Sequence, residues 1–117
     1  MAIISRGLGF TVASYTGTGA ALALNLGFTP AFAKAHSTSA ALQTWEWSNG
    51  MSGATGGTAV VYGVVATESG MNSIGAGAGG ITTLDGSAGT GIGLTIGTDT
   101  TINTAGDAWI VTAFEAH

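Results

Sequence analysis

The chain has 117 residues, of which only 2 Lys+Arg and 6 Asp+Glu are charged, where a soluble domain of this length ordinarily carries about 29 charged side chains. Two cations, Arg6 and Lys34, with a formal net charge of −4, exclude a reader of DNA or RNA and oppose an anionic membrane surface; the absence of cysteine excludes disulfides, thiolate zinc sites and a thiol nucleophile. A hydrophobic fraction of 45% and a mean hydropathy of +0.45 still argue for a folded chain, sized for a single domain over residues 1–117.

Residues 1–7 precede the first periodic run. They read as an N-terminal arm whose Met1, Ile3, Ile4 and Arg6 reach a neighbouring subunit, or else as an unstructured terminus. Residues 10–15 form the first predicted strand, with Gly17-Thr18-Gly19 as the turn into a second over residues 20–26, where Leu22, Leu24 and Leu26 alternate. Pro30 interrupts the pattern because it has no N–H for a ladder, and a third strand follows over residues 31–36. The uncharged stretch 7–33 behind Arg6 imitates a secretory signal, yet Thr11, Ser14, Thr16, Thr18 and Asn25 interrupt it, and no window reaches the ~20 consecutive apolar residues of a membrane-spanning helix.

Further on, Gln43, Trp45 and Trp47 alternate with Leu42, Thr44, Glu46 and Ser48, which suits a fourth strand with a tryptophan pair on one face; a short helix over residues 39–47 is the competing reading. A loop over residues 49–57 leads into a β-branched strand over residues 58–67. Short strands are expected over residues 81–84 and around Ile92, Leu94 and Ile96, whose glycine-rich opposite face is nearly bare. Residues 99–106 carry turn chemistry, and residues 108–115 form the last strand, with Trp109 and Val111 on one face and Ile110, Thr112 and Phe114 on the other. The fold class is therefore all-β, an antiparallel β-sandwich or jelly-roll-like barrel of about eight short strands.

Candidate chemistry is sparse. Gly75-x-Gly77-x-x-Gly80 spells a dinucleotide fingerprint but runs into a strand at Ile81, where pyrophosphate binding needs a helix N-terminus. His36 and His117 are too few for a histidine cage, and Asp99, Asn103, Gly106 and Asp107 lack calcium-loop spacing, so no metal or cofactor is expected and Asp99, Asn103 and Gly106 read as turn formers. Trp45, Trp47 and Trp109 are expected to fill a thin core or a subunit interface, with a sugar-stacking platform as the other use of exposed indoles.

Two stretches carry a resemblance. Leu26-Gly27-Phe28-Thr29-Pro30-Ala31-Phe32-Ala33-Lys34 resembles the opening of small β-rich domains in bacteriophage virion proteins. Leu94-Thr95-Ile96-Gly97-Thr98-Asp99, followed by residues 102–114 from Ile102 through Asn103, Gly106 and Trp109 to Phe114, is similar to their closing segment, with Leu94 where an aromatic is usual. Those domains occur often in tail-fibre or tail-tip polypeptides, and the resemblance implies a virion setting; within it a chain of this size suits a non-enzymatic capsid decoration (cement) protein, many of which are β-rich trimers, on the outer capsid surface, bridging subunits of the major capsid protein. Its alternative is a tail-fibre or tail-tip module that binds a receptor or glycan. On residue chemistry alone, Phe28, Pro30 and Phe32 would lock the start of a strand, and Asn103 with Gly106 would make the tight turn before the closing one, which leaves Phe114 as a core or interface aromatic.

Overall fold

The computed structural model describes residues 1–39, 43–48, 63–67, 70–74, 79–86, 89 and 91–115. Among them are ten strands and one helical turn: β1 (Ala2–Gly7), β2 (Phe10–Thr16), β3 (Leu22–Asn25), β4 (Pro30–Ser37), β5 (Thr44–Ser48), β6 (Gly63–Thr67), β7 (Gly70–Ile74), β8 (Ile81–Asp85), β9 (Ile92–Ile96), α1 (Thr100–Asn103) and β10 (Ala108–Glu115). They pair antiparallel throughout, in a seven-stranded sheet of order β1-β2-β10-β4-β5-β6-β7 and a three-stranded sheet of order β3-β9-β8. The protein is an all-β sandwich.

Strand alternation builds the core. In β2 and β10 every second residue is buried, which turns Thr11, Ala13 and Tyr15, and Trp109, Val111 and Ala113, onto one inner face. Registered neighbours continue that face: Ala13 lies opposite Val111, Val111 opposite Ala35, and Ala35 opposite Trp45. Small alanines thus occupy the middle of the large sheet while Trp45, Trp47 and Trp109 fill the space on either side. The small sheet answers with Leu24, Ile81, Leu94 and Ile96, and Leu26 and Ile102 join the same cluster. At Gly93 in β9 an added Cβ would stand 2.1 Å from the Leu24 carbonyl oxygen, so the bare face noted around Ile92 and Leu94 is one that has to stay bare for β3 to approach.

Several expectations need correction. Residues 1–7 are neither a detached arm nor an unstructured terminus: Ala2–Gly7 is a strand, folded back onto β2 through a two-residue turn at Leu8-Gly9, where Gly9 takes φ 81°. The strand over residues 20–26 contracts to Leu22–Asn25. The third strand starts at Pro30 itself, where a shift in register between Phe114 and Glu115 seats the proline at a strand end that needs no N–H from it. Residues 44–48 are strand, which removes the helix alternative there, because pairing with β4 buries both tryptophans on one side. β6 (Gly63–Thr67) lies within the strand expected over 58–67; residues 58–62, the loop over 49–57, Gly75, Gly77 and His117 lie outside the described residues. Residues 99–106 include one helical turn, and β7 was not anticipated.

Candidate interaction surface

The three tryptophans face inward. Trp45 and Trp47 are fully buried and Trp109 almost so, which denies any of their faces to a sugar and makes them core residues of the chain. Trp45 Nε1 donates to Tyr15 Oη at 3.0 Å, and Tyr15 Oη donates to the Ile102 carbonyl at 2.8 Å. Tyr15 also stacks on Trp109, its partner across the β2–β10 ladder, with centroids 6.0 Å apart and planes 4° from parallel. Burial pushes the Tyr15 phenol far above its ordinary range, and the Trp45 hydrogen bond draws it only part of the way back. Among the described residues the buried Nε1 atoms of Trp47 and Trp109 find no hydrogen-bond partner.

The turn residues are built into the same end of the sandwich. Asp99 caps α1 by accepting from the Thr101 backbone N–H at 2.8 Å. Asn103 is buried and clamps three segments, its Nδ2 donating to the carbonyls of Ala20 (2.7 Å) and Gly97 (2.8 Å) and its Oδ1 accepting from Thr18 N–H (2.8 Å). It is a cross-link between strand ends more than a turn former. Gly106, at φ 93°, sits third in the turn in which Asp107 N–H reaches the Thr104 carbonyl at 3.1 Å, a position that calls for positive φ. Among the described residues no three His, Asp or Glu side chains come together to hold a metal ion, and no helix is long and apolar enough to cross a membrane.

What remains for partners is the outside. The outer face of the large sheet carries an aromatic row, Phe10 opposite Phe114 and Phe114 opposite Phe32, with the last two rings stacked at 6.3 Å. Phe114 is exposed and Phe10 and Phe32 are half-buried, whereas Phe28 packs against the core. In the next row Lys34 lies directly opposite Glu46, both exposed, beside a recess of about 200 Å³ that they line with His36 and Thr44.

The second exposed region is the β1 hairpin. Every residue of β1 is exposed, Ile4 at 55%, and Leu8 at the hairpin tip reaches 104%. Met1 and Ile3 add to the same apolar edge, and Met1 also lines an open groove of about 380 Å³ with Ser14, Tyr15, Thr18 and Leu22. Arg6, the strand's one charged residue, turns back to the Leu26 carbonyl, which its Nη2 reaches at 3.4 Å and to which Thr11 Oγ1 also donates, at 3.1 Å. Of the residues singled out from sequence, Met1, Ile3, Ile4 and Arg6 thus share one edge, Phe32 and Phe114 one face, and the tryptophans one core. Phe10 and Tyr15 carry no functional signal in sequence, although Gly7-Leu8-Gly9 between two apolar runs is a hairpin cue. Compared with known proteins, the chain matches no family, no curated protein and no solved structure.

Proposed function

We propose that this chain is a non-enzymatic structural protein of a bacteriophage particle, a capsid decoration protein that self-associates, as a homotrimer, on the outer capsid surface and bridges subunits of the major capsid protein. The observation that carries the reading is where the apolar surface lies: four of the six large hydrophobic residues exposed among the described ones, Met1, Ile3, Ile4 and Leu8, belong to one hairpin. A charge-poor surface of this kind associates through many neutral contacts and avoids the desolvation cost of buried ions, which suits a salt-insensitive shell.

The resemblance to virion domains supports the setting. Its opening segment runs into β4 and its closing segment ends in β10, and these two strands are paired neighbours at the centre of the large sheet. The inward tryptophans weigh against a tail module that stacks a glycan on indoles.

Counting copies in purified particles by cryo-electron microscopy and mass spectrometry tests the proposal. Hundreds of copies in threefold clusters on the head are expected, with particles lacking them more easily broken by heat. A few copies confined to the tail would overturn it in favour of the tail module.

A further inference from the structure

We infer that the outward face of β4 and β5 binds a neutral sugar, one ring seated between the Lys34–Glu46 and His36–Thr44 pairs and the next unit of the glycan lying over Phe32 and Phe114. Charge is scarce in this protein, with 2 Lys+Arg, 6 Asp+Glu and 2 His in 117 residues, yet a cation, an anion and a histidine stand here together. Lys34 lies directly opposite Glu46, and two residues along the ladder His36 lies opposite Thr44. The four polar side chains thus mark the corners of a rectangle about 5 Å across the ladder and about 7 Å along it. Between them is the recess of about 200 Å³, floored by Ala35 and Trp45, whose side chains are buried on the other side of the sheet. Oppositely charged cross-strand neighbours are placed to pair. Among the described residues, however, none of Lys34, His36 and Glu46 makes a hydrogen bond or ion pair, which leaves all three free to act on a molecule set between them.

The corners select the ligand. An anion in the recess would meet the Glu46 carboxylate and a cation the Lys34 ammonium, so a single charge of either sign is opposed. A hydroxyl both donates and accepts, and hydroxyls set around a ring serve a carboxylate, an ammonium, an imidazole and a threonine hydroxyl at once, whereas a zwitterion serves only two of the corners. A recess of about 200 Å³ is smaller than the ~300–1,000 Å³ of pockets that enclose drug-sized molecules, which limits it to one small ring. The apolar part of the site is one row away. Phe32 shares a face with Lys34, two residues and about 7 Å along the strand, and stacks on Phe114, which is 46% exposed. A sugar carries a C–H face as well as hydroxyls, and the second unit of an oligosaccharide covers this exposed aromatic pair. The recess is at least three strand spacings, about 14 Å, from β1, so contacts made by the β1 hairpin leave it open. The site belongs to the purified chain and stands whether or not the virion assignment does, which is read on particles.

The test is calorimetric and NMR titration of the full chain with glucose, mannose and galactose and their linear oligomers, with glycine and inorganic phosphate as charged probes. At least one neutral series is expected to bind and to shift the backbone amides of residues 34–36 and 44–46. Its affinity should rise about tenfold from the single sugar to the tetramer and stay the same at low and high salt. Lys34→Met and Glu46→Gln, both at exposed positions and without effect on thermal stability, should each weaken the single sugar by about tenfold. Phe114→Ala should leave the single sugar unchanged and remove the gain on lengthening. No binding by any of the three series at about 20 mM would overturn the proposal. So would sugars that bind Glu46→Gln as they bind the wild type, a gain on lengthening that survives Phe114→Ala, or glycine or phosphate shifting those amides in place of the sugars.

Discussion

β1 and β2 are hydrogen-bonded neighbours in one sheet, joined by a two-residue turn, yet they live in opposite environments. β2 alternates strictly between buried and half-exposed positions because it is flanked on both sides and covered from below; β1 is exposed at every residue because it lies at the sheet's edge and the core cluster does not extend beneath it. The difference teaches that hydrogen bonding places a strand in a sheet, while burial decides whether that strand stabilises the fold. The inner strands hold the molecule together, and the edge is left available for contact.

The sharpest way to break the comparison is to hollow out the inner side. Trp109→Ala removes a buried indole stacked on Tyr15 and should cost about 4 kcal/mol in urea unfolding, a large share of the roughly 5–15 kcal/mol that holds an ordinary domain folded. Asn103→Ala should cost about 2 kcal/mol by the same measurement, since it strands the buried Gly97 carbonyl and removes the acceptor of the Thr18 N–H, while the Ala20 carbonyl keeps the Thr18 hydroxyl.

A third expectation comes from pH. The unfolded Tyr15 phenol ionises near pH 10, whereas the folded one resists ionisation to a higher pH because it is buried. Stability on this account is complete below pH 10 and falls above it by up to about 1.4 kcal/mol per pH unit until the folded phenol itself ionises. Tyr15→Phe should remove that alkaline slope while lowering stability at neutral pH through the lost link between Trp45 and Ile102. Alkaline unfolding curves of the two proteins separate the effects.

The smallest effect belongs to the edge. Ile4→Ala and Leu8→Ser should change the unfolding free energy of the monomer by no more than ~0.5 kcal/mol, measured at low concentration. A larger loss would mean that β1 contributes to the core after all, and the contrast with β2 would fail.

Much of the fold was legible because strand periodicity is local. The alternation through Leu22 to Leu26, around Trp45 and Trp47, and from Trp109 to Phe114 marks which side chains face inward wherever the partner strands come from. The β1 strand was missed because its Ile3-Ile4 pair breaks alternation at the inserted residue, so no period marks it. Asn103 was read as a turn residue because its composition context is that of a turn; its carboxamide serves groups at Thr18 and Ala20, more than eighty positions away.

The sequence by itself determined the all-β class, the inward faces of most strands and the poverty of charge, since each of these is written within a few neighbouring residues. Only the tertiary structure decided that β2 lies between β1 and β10, that Tyr15 links Trp45 to Ile102, and that β1 is left at an open edge. Apart from the β1–β2 hairpin, those outcomes depend on pairings between residues 30 to 104 positions apart, and alternation states that a face is buried without stating what buries it.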